Sequence, residues 1–219
     1  MGLKMELYSI FPKEQVLDYF KGNVVFNNYE IKDIDEIIKN KSTSVFQVGA
    51  RSWDRYVHMN NYKKPRLLMQ HFINENPLLY KEVERVIGEK CLSDISYVNA
   101  VVNDPELPNP MSAELLVATI YPGELHIVDI QLIDPYQPIK PQKYVLQPYK
   151  GLGMLNIVID NCIKYCLKNN IRLLTLVAAT KELISVFERH GFKVEDSPSA
   201  KIGMQYNMSI PMVLEIAKG

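Results

Sequence analysis

Apolar residues recur along the chain at two spacings, and each change of spacing marks an element. Phe11-Pro12-Lys13-Glu14 opens a helix running through Phe20, with proline in its first turn and Val16, Leu17 and Phe20 at helical spacing. A second helix is expected from about Asp33 to Asn40, where Ile34, Ile37 and Ile38 share a face. Val45-Phe46-Gln47-Val48 alternates and predicts a short strand over 44–48. Arg66 to Ile73 and Leu78 to Ile87 read as helices parted by Asn76-Pro77, the second stopped by Gly88.

Farther on, eight of the 13 prolines lie between Pro105 and Pro148, which makes that region strands and rigid loops. Within it, Glu114 to Tyr121 and Leu125 to Ile133 form two β-rich runs joined by Pro122-Gly123, a hairpin with glycine where the turn needs positive φ. Pro135 to Pro141 reads as a stiff connection. Leu152 to Lys168 is apolar around so much of a helical circumference that it must be largely buried, and Asn169-Asn170 ends it. Arg172 to Ala179 is then a buried strand. Thr180 caps a helix with Glu182 in its first turn, closing at Gly191. Phe192 to Val194 and Tyr206 to Ile210 alternate as strands, the latter beside 172–179. The C-terminal half is therefore α/β.

Composition narrows the function class. At 219 residues the chain can bury the core of one sizeable domain. Its 25 basic and 25 acidic side chains cancel, so no global field draws it to nucleic acid or an anionic membrane, and Tyr62 to Arg66 reads as a solvated basic loop. Cys91, Cys162 and Cys166 form no CxxC pair, which suits a reducing compartment and small buried hydrophobes. The N-terminus shows no targeting pattern, and no run reaches the ~18 apolar residues of a membrane span, so the expected location is cytoplasmic.

Residues 147 to 155, QPYKGLGML, place Gly151 and Gly153 where strands hand over to the long helix. Glycines there let backbone N–H groups approach a ligand, and a helix N-terminus favours an anion such as phosphate. The residues after Gly153 are Met154 and Leu155, which excludes a Walker A loop, and position 156 is asparagine, which excludes the dinucleotide fingerprint. The strand at 125–133, this turn, the helix, the strand at 172–179 and the closing VFERHGF at 186–192 resemble, over residues 113–210, the GNAT N-acyltransferase superfamily, whose loop has the form Q/R-x-x-G-x-G/A.

That resemblance implies a mixed, mostly antiparallel central sheet with helices on both faces and a V-shaped splay between two parallel strands, 125–133 and 172–179. Acyl-CoA, expected to be acetyl-CoA, would enter the splay. Its pyrophosphate would lie on the amides of Lys150, Gly151, Leu152, Gly153 and Met154, and its pantetheine arm along Gln131, Leu132 and Ile133, opposite Ala178. The chain would be a single acyltransferase-like domain: 111–219 the acyl-CoA-binding core and 1–110 the acceptor side. The partners implied are acetyl-CoA and an amine acceptor, with no nucleic acid and no membrane; a homodimer is left open.

Departures from the family pattern matter equally. The Q/R position falls on Pro148, with Gln147 one place early, and Lys150 must then supply the positive charge. The family's usual tyrosine is Phe187, which has no proton to give a thiolate. Asp129, mid-strand among apolar residues, is either the candidate base, if buried, or a carboxylate tied to a neighbouring helix or loop, and Tyr206 is the replacement acid. Glu124 and His126 flank the hairpin turn, where exposure to solvent is expected. Trp53 reads as core, and His58 and His71 have no partners at metal-ligand spacing. The expected activity is direct acyl transfer from acetyl-CoA to an amine; the alternative is a non-catalytic protein of this fold that binds CoA or a partner.

Overall fold

The computed structural model describes residues 5–60, 74, 76–140 and 148–217. The helix expected at 66–73, the basic loop at 62–66, His71 and Gln147 lie outside the described residues. Eight strands form the sheet: β1 (Val24–Glu30), β2 (Leu92–Val102), β3 (Met111–Ile120), β4 (Glu124–Pro138), β5 (Tyr149–Gly151), β6 (Leu173–Ala178), β7 (Lys193–Val194) and β8 (Ile210–Glu215). Their order is β1-β2-β3-β4-β6-β8-β7, with β5 paired to β4. Every pairing is antiparallel except that of β4 with β6.

Among the described residues, six helices cover it: α1 (Lys13–Tyr19), α2 (Ile34–Met59), α3 (Leu79–Ile87), α4 (Leu155–Asn169), α5 (Ile184–Glu188) and α6 (Pro198–Tyr206). Side chains alternate across the strands, so one face of β3 and β4 packs Leu115, Val117, Leu125 and Ile127 against Val16 of α1, Val158 and Ile159 of α4 and Phe187 of α5. The other face packs Leu116, Ala118 and Ile120 against Val45 and Val48 of α2 and Leu79 and Val83 of α3. The mixed sheet with helices on both faces is the architecture expected from the sequence.

Four local expectations are corrected. Residues 44–48 are helical, because Val45 and Val48, three apart, both turn into the core. Pro135 to Pro138 continue β4 instead of starting a loop. Tyr206 ends α6, and the last strand begins at Ile210, although it does pair with β6 as expected. Thr180 precedes its short 3-10 turn without a capping hydrogen bond; the Lys181 N–H donates instead to Asn207 Oδ1 at 2.7 Å.

Helices α2 and α3 approach so closely that a Cβ on Gly49 would lie 2.6 Å from the Tyr80 nitrogen and 2.9 Å from the Leu79 carbonyl carbon, both backbone atoms that cannot swing aside. Alanine would gain up to ~1 kcal/mol of helix propensity, so the clash must exceed that to matter. Gly49→Ala is expected to destabilise the fold by about 1–3 kcal/mol net in urea denaturation; a more stable variant would contradict this packing.

Candidate active site

Strands β4 and β6 run in parallel for only four pairs, from Glu124↔Leu173 to Ile127↔Leu176. At that point β4 also skips a residue against β3, whose register goes from Val117↔Ile127 to Leu116↔Asp129 and leaves Val128 as a bulge. An extra residue bends its strand, so β4 departs from β6 where the parallel pairing stops. A cavity of about 160 Å³ opens in the parting, lined by Val128, Asp129, Ile130, Ile159, Val177 and Phe187 among others.

Hydrogen bonding fixes which backbone groups face this opening. The Leu152 N–H donates to the Leu132 carbonyl at 3.1 Å, on the side of β4 away from β3. Backbone direction alternates along a strand, so Ile130 turns its N–H and C=O to the same open side while Asp129 and Gln131 turn theirs toward β3. Of the positions expected along the pantetheine arm, the Leu132 carbonyl is thus already bonded and Ile133 pairs with Gly151. The free edge lies at Ile130. Ala178 is fully buried in the core; Val177 and Ala179, on either side of it, line the cavity.

The glycine turn is held against this edge. Leu152 and Met154 bury their side chains in the core, while Gly153 between them is exposed at φ 73° with open space where a Cβ would be. Met154 precedes α4 without a side-chain cap, and no acidic residue occupies the first turn. The first helical bond runs from the Val158 N–H to the Met154 carbonyl, so the N–H groups of 155–157 have no partner farther back in the helix. Lys150 is exposed on β5, and the Pro148 carbonyl accepts from the Ile139 N–H at 2.8 Å.

On the opposite face of the sheet, Asp129 is not an isolated buried carboxylate but one tied to a neighbouring helix, the second of the two readings its sequence position left open. Its side chain is 36% exposed, and Oδ2 accepts from Lys41 Nζ at 2.9 Å and from Ser44 Oγ at 3.4 Å. Lys41 also donates to Glu114, whose other oxygen accepts from the Tyr97 hydroxyl at 3.0 Å. Burial works to lower the Lys41 pKa, but its bonds to Glu114 and Asp129 outweigh it and leave the ammonium above its ordinary value. Burial, partly opposed by a hydrogen bond with Asn99 and aided by the Glu114 charge, pushes the Tyr97 phenol up to about 12. Tyr206 is 65% exposed and does not line the cavity, so the structure does not bring it to Asp129. Lys41 carried no sequence signal; Glu114, an acid within an apolar strand, carried the same signal as Asp129.

At the end where β4 and β6 stay paired, Glu124 and His126 are 0% and 2% exposed, contrary to the solvent exposure expected beside the turn. Arg51 donates to Glu124 from Nε at 2.8 Å and to Glu195 through both terminal nitrogens at 2.9 and 2.6 Å. Arg55 adds a bond to Glu124 at 3.1 Å. Burial would raise the Glu195 pKa, yet the hydrogen bond from Arg51 and the guanidinium charges hold it below its ordinary value. Trp53 is core, as expected.

A comparison of the chain with solved structures finds N-acetyltransferases among those similar to it. Solved structures it is similar to include the ribosomal-protein-S18-alanine N-acetyltransferase of Escherichia coli (14% identity, 90% of this chain and 96% of that one, TM-score 0.37). A second is spermidine N-acetyltransferase from Vibrio cholerae in complex with CoA and spermine (14%, 90% and 97%, 0.38). A third is a GNAT-family acetyltransferase of Staphylococcus aureus (13%, 88% and 100%, 0.39). No protein-family model matches the sequence, and no curated protein sequence matches it. At TM-scores below 0.5 these likenesses decide nothing about chemistry, which rests on the chain's own geometry.

His126 supplies a pH prediction. Its Nδ1 lies 2.8 Å from the Thr175 hydroxyl, and burial, followed by the Arg51 charge, lowers its pKa to about 3. The unfolded chain therefore takes up this proton near the ordinary value of ~6.5 while the folded chain refuses it until near 3. Stability present above pH 6.5 is lost as the pH falls toward 3, at up to about 1.4 kcal/mol per pH unit from this group. Urea midpoints of His126→Leu are expected to fall less steeply between pH 6.5 and 4 than those of the wild type; parallel slopes would contradict the assignment.

Proposed function

We propose that the protein is an acyl-CoA-dependent N-acyltransferase that moves an acetyl group from acetyl-CoA to an amine by direct attack. The observation that supports this best is the open β4 edge at Ile130, two residues before the strand is bonded to an uncapped glycine turn at a helix N-terminus. An amide-bearing arm can pair with that edge as a short extra strand, and a pyrophosphate matches the unpartnered amides and dipole of α4. Lys150 adds a flexible positive charge beside the turn. A cavity of about 160 Å³ suits a short acyl group.

In this reading a backbone N–H of the free edge polarises the thioester carbonyl. A neutral amine attacks, the C–N bond forms and the C–S bond breaks. The proton lost by nitrogen balances the one gained by the thiolate, and in this reading Asp129, the ionisable residue among the cavity-lining residues described, relays it. Phe187, packed edge-on against Phe192 at 6.1 Å, has no proton to give. That absence favours, as the second reading, a protein that binds CoA without turnover.

Acetyl-CoA is expected to raise the melting temperature, since a ligand that binds only the folded state stabilises it. Gly153→Val should cost stability of about 1–2 kcal/mol, because a branched residue resists the left-handed backbone, and should weaken acetyl-CoA binding at least about tenfold in calorimetry, equivalent to about 1.4 kcal/mol. No thermal shift at millimolar acetyl-CoA or CoA would remove the proposal. Binding without acetyl transfer to a broad amine panel would favour the second reading.

A further inference from the structure

Both hydrogen bonds that Asp129 receives fall on one oxygen. Lys41 Nζ and Ser44 Oγ each reach Oδ2, and among the described residues no donor reaches Oδ1. The carboxylate is therefore tethered by one oxygen and unpartnered at the other, in a residue that borders the cavity. Lys41 is itself held from behind by Glu114, which Tyr97 anchors, and its ammonium lies 5.5 Å from the Tyr97 ring centre. Its side chain is only 15% exposed.

The backbone supports this placement. Lys41 interrupts α2 with φ −138° and ψ 41°, a non-helical conformation within an otherwise continuous helix. The helix therefore changes course at the residue whose ammonium bridges β3 and β4. Formal charges do not cancel here: two carboxylates face one ammonium among the described residues, leaving −1. A partner that arrives as a monocation would complete the balance.

We propose that Lys41 is a positioning residue, which fixes the Asp129 carboxylate by Oδ2 so that Oδ1 takes a proton from an acceptor that arrives as an ammonium and leaves it neutral to attack the bound thioester. Of the two protons the nitrogen loses, one goes to the thiolate and the other to solvent. This rests on the acyltransferase reading and adds to it an acceptor class and a residue outside the cavity that governs it. The opposite arrangement, in which Lys41 merely occupies the place of the substrate ammonium and must be displaced, makes the contrary kinetic prediction: removing the side chain would help the reaction.

The test is steady-state kinetics of the full chain with acetyl-CoA and three probe amines, n-butylamine, 1,4-diaminobutane and lysine amide, together with acetyl-CoA binding by calorimetry. Lys41→Met is expected to lower kcat at least about 30-fold, short of the roughly 10²–10⁴-fold of complete loss of an acid–base group because Asp129 itself remains, while acetyl-CoA affinity stays within about twofold. Lys41→Arg, which keeps a cation able to reach both carboxylates, should recover most of that loss. Glu114→Gln, which keeps a hydrogen-bonding partner for Tyr97 and removes its charge, should fall between them and shows the effect in a second variant if Lys41→Met folds poorly. Wild-type rates in Lys41→Met, faster turnover in it, or failure of arginine to rescue an otherwise folded protein would each overturn the inference while leaving the acyltransferase reading intact. A wild type that binds no acetyl-CoA or acetylates none of the amines removes that reading and the inference together.

Discussion

Four residues of parallel pairing join the two halves of the sheet, and the molecule's candidate chemistry follows from their stopping there. Strands β1 to β4 form one half and β6 to β8 the other, and the described ladder between them runs from Glu124↔Leu173 to Ile127↔Leu176. The bulge at Val128 bends β4 away while β3 stays bonded to it. Among the described residues no ladder pairs the N–H and C=O of half-buried Ile130 on the side away from β3, and they are the feature a ligand backbone can satisfy.

Helix α2 works at both ends of that parting. Lys41 and Arg51 are ten residues apart, about 15 Å along a helix. Their partners, Asp129 for Lys41 and Glu124 for Arg51, are five apart, about 17 Å along a strand before the bulge shortens it. Helix and strand therefore match in reach, with Arg51 on Glu124 at the closed end and Lys41 on Asp129 at the open end. The closed end is balanced, with two arginines facing Glu124 and Glu195 in a nearly dry setting. Such a network adds little net stability but is costly to break by removing one partner. Among the described residues the open end keeps one formal negative charge and one unpartnered carboxylate oxygen, the difference expected between a clamp and a binding site.

Much of this frame was legible in the chain. The hairpin about Pro122-Gly123, the buried α4 and β6 rest on local periodicity and on turn residues whose conformations few others adopt, whereas the splay of β6 from β4 came from the family resemblance alone; Asn170 indeed ends α4 at φ 57°. What failed depended on contacts distant in sequence. Val45-Phe46-Gln47-Val48 alternates like a strand, yet packing against α3 selects the helical face. Helix α6 was missed although Ser197-Pro198 is a readable start, with the Ser197 hydroxyl accepting from the Ala200 N–H. Glu124 and His126 looked exposed because they adjoin a turn, yet both are buried, Glu124 bonded to Arg51 and Arg55 of α2 and His126 against Thr175 of β6. Likewise nothing near Lys41 in sequence announces that it meets Glu114 and Asp129, 73 and 88 residues away.

Backbone amide hydrogen exchange, followed residue by residue with and without acetyl-CoA, tests the central claim most directly, because it reads the free edge and the glycine turn without requiring turnover. The geometry predicts that acetyl-CoA slows exchange at Ile130 and at the amides of residues 153–157, leaving β1 and β2 unchanged. Binding that leaves both of those segments exchanging at their free rates, with protection elsewhere, would contradict the assignment of the β4–β6 parting as the ligand slot.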